Sequence, residues 1–379
     1  MTGLLPYVAD HPLVDHHCHG VLLRDADVAT LESQLTEGGP FPGGSVFDSG
    51  IGFAFRRLCP PVLGLGPDAE IAEYVKRRAE LGADEAGRRF LRAAGLDAMC
   101  VDTGYTPEPI TSLTELGELA GASAHEIVRL EVVAEDVAAR GVDPDGFADA
   151  VRAELAIRTA HAVGVKSIAA YRTGLELGAE RPTEAEVTRA ARRFLRTPKR
   201  LADETLQRFL VWCGNDLGLP VQFHVGYGDA DIDLHRCNPL LLTPLIRRLR
   251  VPVMLLHNYP YHREAGYLAQ VFPHVYVDAG LATHNLGARA GALLAEALEL
   301  TPYGKFLFSS DAFGLPELYY LGAELFRRAL SAWLSEQGPP DAERIAGLMM
   351  TGNARRVYGL DATGGGCGGS SPRKPAEPR

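Results

Sequence analysis

The sequence predicts an α/β fold, a (β/α)8 barrel of the TIM type with a mostly helical insertion after its first strand. Three observations predict it. Short apolar, β-branched runs alternate with longer helical patterns along the chain. Eight such runs can be picked out, and several are nearly continuous in apolar residues, as strands buried on both faces must be. Repeated strand–helix alternation argues for a parallel sheet, and eight units argue for its closure. A length of 379 residues fits one decorated barrel.

The strand runs are Pro12–His19, Asp97–Tyr105, Glu126–Val133, Val165–Arg172, Val221–Gly228, Val251–Asn258, Val275–Leu281 and Lys305–Ala312. Helical patterns fall between them at Pro144–Val163, Thr183–Leu195, Ala202–Leu217, Pro239–Leu249 and Gly287–Leu298. Two regions break the rhythm. Residues 28–96 separate the first two strands by far more than one crossover needs. They hold a Gly/Pro-rich stretch, GGPFPGGSVFDSG, and then a charged helix around Ile71–Leu91. This reads as a lid-like subdomain over the barrel mouth, with an ordinary crossover bearing a decorated loop as the plainer alternative. The expected barrel domain is therefore 1–360, including the 28–96 insertion. Residues 361–379 are expected to be a disordered tail, because GGGCGGSSPRKPAEPR has almost no apolar side chains to offset its ordering entropy.

Hydrophobic residues make up 46% and charged residues 23%, an ordinary globular balance. A formal net charge of -10 opposes phosphate backbones, so nucleic acid is not an expected partner. The six cysteines form no C-x-x-C pair, which argues against both a thiolate zinc site and a disulfide framework. Neither a secretory leader nor a membrane-spanning apolar run is read from the sequence, and a reduced cytoplasmic setting is expected. The oligomeric state is not legible.

The chemistry concentrates at strand ends. In V-D-H-H-C-H-G, Val14–Gly20, strand alternation puts Asp15, His17 and His19 on one face and His16 and Cys18 on the other. Two imidazoles two residues apart at the C-terminal end of a barrel strand are placed to share a metal. His224 in PVQFHVG, His257 in VMLLHN and Asp311 in FLFSSDA also end apolar strands. Each alone is as easily a packed rim residue. Together on one rim they would be costly unpaired, and a metal satisfies them at once. Three imidazoles, His17, His19 and His224, with the Asp311 carboxylate suit zinc, with manganese or iron as alternatives. Asp15 is expected to support these ligands from behind by orienting an imidazole or another polar side chain.

Lys166 raises a two-metal possibility, since a carboxylated lysine on the fourth strand bridges two ions in related barrels. If the strand runs from Val165 to Arg172, its ends are roughly 20 Å apart at about 3.3 Å per residue, with Lys166 at the wrong end. One ion is therefore expected. Tyr171 and Arg172 fall at the metal end, where a guanidinium can fork onto a substrate carboxylate or simply join a rim salt bridge. His16, His161, His235, His262, His274 and His284 are expected to be structural or on the surface.

The order of H-x-H after strand one, His after strands five and six, and Asp after strand eight resembles the amidohydrolase superfamily, and within it the amidohydrolase-2 group. The segments KSIAAYRTGL, LLHNYPYHREAGYLAQVFPHVYVDAGLA, FLFSSDAFGLPELYYLGA and GNARRVYGL look most like the amidohydrolase-like half of fluffy-type and nodulin-type glutamine synthetase fusion proteins. The resemblance covers about residues 10–360. It implies that His17, His19, His224 and Asp311 hold a divalent metal, with Asp311 also the proton acceptor and His257 an acid/base or electrostatic residue. It implies hydrolysis of a C–N bond in a small, carboxylate-bearing molecule by metal-activated water. Three other readings stand beside it: non-oxidative decarboxylation of an unsaturated or aromatic acid, sugar-acid isomerisation as in uronate isomerases, and an inactive binding barrel.

Overall fold

The computed structural model describes residues 3–39, 43–197 and 199–360. Seven parallel strands follow one another in sequence order around a curved sheet: β1 Leu13–Cys18, β2 Leu96–Asp102, β3 Ser123–Arg129, β4 Gly164–Ser167, β5 Val221–Val225, β6 Val253–His257 and β7 Val275–Val277. The expected eighth strand is extended but not regular. Its backbone still bridges both edges of the sheet. Leu307 N donates to Val277 O at 2.9 Å on one side, and His16 N donates to Phe308 O at 3.1 Å on the other. The Asp15 carboxylate accepts Ser310 N at 3.0 Å, an amide that a regular ladder would have used, which explains the irregularity. The barrel fold is as the sequence predicts. Residues 361–379, expected to be a disordered tail, lie outside the described residues.

Several strands end earlier than the apolar pattern suggests, and at β4 and β7 a carboxylate takes the backbone amides that follow. β4 stops at Ser167 rather than Arg172. The buried Glu131 carboxylate accepts Ser167 Oγ at 2.8 Å and Ile168 N at 2.9 Å, and the chain then turns through Ala169–Tyr171. β7 stops at Val277 rather than Leu281, because Asp278 Oδ1 accepts Gly280 N at 3.0 Å and opens the helix Gly280–Asn285. β3 passes directly into the helix Leu130–Ala139. Crossover helices start where capping boxes put them. Ser112 with Glu115 opens Leu113–Ala120, and Thr183 with Glu186 opens Glu184–Phe194.

Two apolar clusters hold the barrel. The larger lies between strands and helices and includes Leu13, Met99, Val128, Phe223 and Leu255. The smaller includes Val14, Cys100, Ile127, Met254, Leu307 and Tyr358 from the C-terminal helix Asn353–Tyr358. The alternation between clusters along β1 and β6 shows which parity faces inward.

The insertion supplies helices Val28–Gln34, Gly50–Val62, Ile71–Leu81 and Ala83–Ala94. The last buries Ala86, Phe90, Leu91 and Ala94 and contacts the long helix Pro316–Gln337. A buried ionic peg fixes the insertion to that helix: Glu317 accepts Tyr74 Oη at 2.7 Å and Arg78 Nε at 2.8 Å.

Candidate metal centre

The expected ligands and His257 come from three strands and the closing segment. His17 and His19 lie at the end of β1, His224 in β5 and His257 at the end of β6. Asp311 follows the closing bridges, with its N donating to His17 O at 3.0 Å. Asp311 Oδ1 lies 3.1 Å from His17 Nε2 and 3.5 Å from His19 Nε2, while Oδ2 lies 3.3 Å from His257 Nδ1. The His224 ring sits 4.6 Å from the His257 ring and 4.6 Å from the Tyr171 ring.

Two departures from strict alternation bring these groups together. In β1 the pairing with β2 shifts between Asp15 and Cys18. Consequently His16 and His17 both reach inward: His16 Nδ1 lies 3.1 Å from Tyr358 Oη, and His17 meets Asp311. The expectation that His16 faces away from His17 is corrected by this irregularity. In β6, Leu256 is inward by parity, and His257 turns inward as well because its φ is +67°. A left-handed, non-glycine residue costs roughly 1–3 kcal/mol. The Asp278 carboxylate accepts His257 N at 2.7 Å, and a hydrogen bond to a charged group returns about 1.5–3 kcal/mol, enough to hold the turn. Asp278 also meets His16 Nε2 at 2.7 Å. Sequence reasoning passed over Asp278, although a lone acid just past an apolar strand, in VYVDAG, was the same signal used for Asp311.

Asp15 is buried but touches no imidazole ring. It accepts Ser310 Oγ at 2.5 Å, Ser310 N at 3.0 Å and His17 N at 3.3 Å, so it fixes the backbone of the segments that carry His17 and Asp311. Burial raises its pKa to about 7. Asp102, also unanticipated, ends β2; its Oδ2 accepts Arg129 Nη2 at 2.6 Å and Nε at 3.0 Å, while its carbonyl meets His19 Nδ1 at 3.1 Å.

Lys166 is not at the wrong end of its strand. Because β4 ends at Ser167, Lys166 reaches the centre, with Nζ 2.7 Å from His17 Nε2 and 3.9 Å from Asp102 Oδ2. The reason given in the sequence for a single ion therefore falls. Burial lowers the pKa of this lysine, with Asp102 and Asp311 acting against the shift.

The donor set fits a cation. Burial, with Lys166 beside it, brings the His17 ring down to about 4, and the same causes bring His224 to about 3. Burial takes His257 well below its ordinary value. Burial alone would raise Asp311, but the surrounding imidazoles of His257 and His17 hold it well below the usual carboxylate range. The resulting state at neutral pH is an ionised carboxylate among neutral rings. His17 Nδ1, His224 Nε2 and both His257 nitrogens are buried without a hydrogen bond. Among the described residues, ligand atoms within 4.8 Å of one another come from His17, His257 and Asp311, and from His17, His19 and Asp102. His224 belongs to neither set, although it lines the same cavity.

That cavity, about 710 Å³, opens above Asp311. Insertion residues Gln34 and Glu37 line it, as do Tyr171 and Arg172. Burial, with Asp311 and Asp229 nearby, raises the Glu37 pKa to about 7. Arg172 is 13% exposed, its Nη2 lies 3.5 Å from Glu135 Oε1, and its Nε has no partner.

Residues 98–360 match the amidohydrolase family. The chain is 28% identical over 376 residues to the protein fluG of Emericella nidulans, covering 87% of this chain and 43% of that one. It thus spans less than half the length of that relative. A protein of Lactobacillus casei ATCC 334, provisionally assigned as a metal-dependent hydrolase, superposes with a TM-score of 0.85 at 30% identity, over 94% of this chain and 98% of that one. The uronate isomerase of Thermotoga maritima shares the fold, with a TM-score of 0.59 at 14% identity over 93% and 95% of the two chains.

Proposed function

The chain belongs to the amidohydrolase family, and from that premise we propose that it hydrolyses a C–N bond in a small, carboxylate-bearing molecule, using one divalent ion, zinc by preference. The observation that carries this reading is the Asp311 carboxylate in contact with His17, His19 and His257 beneath a large polar cavity. The provisional assignment of the Lactobacillus casei protein supports it. His17, His19, His224 and Asp311 would hold the ion. When bound, it supplies Lewis acidity, allowing water to ionise near pH ~7 and drawing charge from a carbonyl oxygen.

The protein's own groups have separable tasks. Asp311, ionised and open to the cavity, takes a proton at a carboxylate oxygen and returns it to the leaving nitrogen. His257 stays neutral beside it and steadies negative charge that develops on the substrate oxygen. Arg172 has uncommitted donors at the rim and anchors a carboxylate, fixing the amide over Asp311. The insertion, lid-like in this reading, covers the site and limits its water.

The test is product analysis with metal-loaded protein on γ-glutamyl amides, N-acyl amino acids, unsaturated acids and uronates. Release of ammonia or an amine supports the proposal. Carbon dioxide release would replace it with decarboxylation, and aldose–ketose interchange would replace it with isomerisation.

A further inference from the structure

His284 was expected to be structural or on the surface, and it has no part in the proposed hydrolysis. It lies on the helix Gly280–Asn285 that follows β7, is 1% exposed, and lines the cavity over Asp311. Its Nδ1 is buried without a hydrogen bond, and among the described residues none makes a recorded hydrogen bond to its Nε2. Helix Pro316–Gln337 passes behind the ring with a glycine: a Cβ at Gly322 would stand 3.9 Å from His284 Nδ1 and 3.2 Å from Ser310 Cβ. Burial lowers the ring's pKa to about 4, with Asp311 acting against the shift, so it is neutral at pH 7.

A neutral imidazole has one N–H. At Nδ1 that proton would face the Gly322 backbone side with no acceptor, and an unpaired buried donor is among the least tolerated of polar groups. The proton therefore belongs on Nε2, the nitrogen left to the cavity. A neutral donor in a pocket wall with no protein partner is free to be completed by a ligand oxygen. β7 and β4 are three strands apart in a ring closed by the eighth segment, so the segments that carry His284 and Arg172 are well separated around the rim of the cavity that both line with Asp311.

Resting on the proposed function, the geometry points to His284 as a substrate-binding residue that donates from Nε2 to an acceptor oxygen on the far side of the scissile bond from the carboxylate held by Arg172. The substrate class is thereby narrowed to molecules with oxygen functions at both ends, such as an amide whose leaving amine carries a carboxylate, carbonyl or hydroxyl.

The test uses the metal-loaded full chain and two binding probes, glutarate with oxygens at both ends and butyrate with them at one. Wild type should bind glutarate at least tenfold more tightly than butyrate by calorimetry. His284→Ala should remove most of that preference while leaving butyrate affinity, metal content and melting temperature unchanged. His284→Gln, which keeps an N–H donor, should restore the preference to within about threefold. His284→Phe should lose it and melt no lower than wild type, since it removes an unpaired polar group. A preference that survives His284→Ala, no binding of glutarate by wild type, or equal losses for both probes together with lost metal or stability would overturn the assignment. Because binding is read without turnover, a failure of C–N hydrolysis is seen separately: wild type would prefer glutarate yet release no glycine from γ-glutamylglycine.

Discussion

Lys166 Nζ lies 2.7 Å from His17 Nε2, the ring nitrogen that also faces Asp311. A lysine at that position is either an ammonium that balances nearby acids or, once carboxylated, an anionic bridge between two ions. The neighbourhood favours the ammonium. Asp102 stands 3.9 Å away, and an added anion would face both it and Asp311.

The first prediction follows from that balance. Protein loaded with zinc should hold close to one tightly bound ion per chain by elemental analysis, and bicarbonate should not change the amount. Two essential ions, or bicarbonate-dependent loading abolished by Lys166→Ala, would establish the bridging lysine instead.

A second prediction separates holding the metal from using it. His224→Ala removes an expected ligand whose Nε2 is buried without a hydrogen bond, and it should lower metal content sharply with the barrel still folded. Asp311→Asn keeps an oxygen but loses the proton acceptor, and His257→Asn leaves the four expected ligands in place. Both should retain substantial metal and lose roughly 10²-fold or more in kcat. Near-wild-type turnover in either would remove its assigned role.

Acid response gives a third. A ring whose folded pKa is depressed takes up its proton later than it does in the unfolded chain. His17 and His284 have an ordinary value of 6.5 and folded values of about 4. The unfolded chain therefore binds more protons as pH falls below 6.5, and stability drops progressively from there to about 4 and is unaffected by these rings above 6.5. Metal-free protein should show that fall in melting temperature. Metal-loaded protein should keep its ion at pH 5.5, where an ordinary imidazole is mostly protonated, because the ligand rings remain neutral. Equilibrium dialysis at pH 5.5 and 7.5 measures it; complete loss of metal at pH 5.5 would contradict the depressed values.

The barrel was legible because apolar runs at eight strand positions survive any error in their exact ends. The candidate site residues were legible because His17, His19, His224, His257 and Asp311 all end such runs. Lys166 was misplaced because hydrophobicity does not mark where a strand stops. Glu131 ends β4 through hydrogen bonds to Ser167 and Ile168, and it lies more than 30 residues away in sequence. The inward turn of His257 was hidden for a similar reason, since it depends on a left-handed backbone held by Asp278 from the next strand.

Asp278 supplies a fourth prediction. Its Oδ1 holds His257 N and Gly280 N, and its Oδ2 meets His16. Asp278→Ala leaves three buried donors unpaired, at about 1–3 kcal/mol for a typical group, and frees His257 to leave its strained conformation. Melting temperature should fall by several degrees and kcat should fall about as far as in His257→Asn. Asp278→Asn should recover stability better than activity, because the amide oxygen still accepts but carries no charge. An Asp278→Ala protein with unchanged kcat would show that His257 is positioned by other contacts.

The last prediction concerns the carboxylate anchor. Arg172 lies on the rim, its Nη2 is 3.5 Å from Glu135, too long for a firm hydrogen bond, and its Nε is unpartnered. A guanidinium in that state can turn a planar pair of donors onto a carboxylate without first breaking a strong ion pair. Arg172→Lys keeps the charge and loses the fork, so KM should rise and kcat/KM should fall for carboxylate-bearing amides, by about tenfold if two parallel bonds become one. Neutral analogues should be poor substrates for both proteins and should respond little to the change. Glu135→Gln removes the charge of the acidic neighbour that, among the described residues, pairs with Arg172, and should leave KM for the acids equal or lower. Steady-state kinetics on matched acid and neutral-amide pairs decides the matter: equal turnover of both members by wild type would eliminate the anchor, while leaving Asp311 and its imidazoles as the hydrolytic centre.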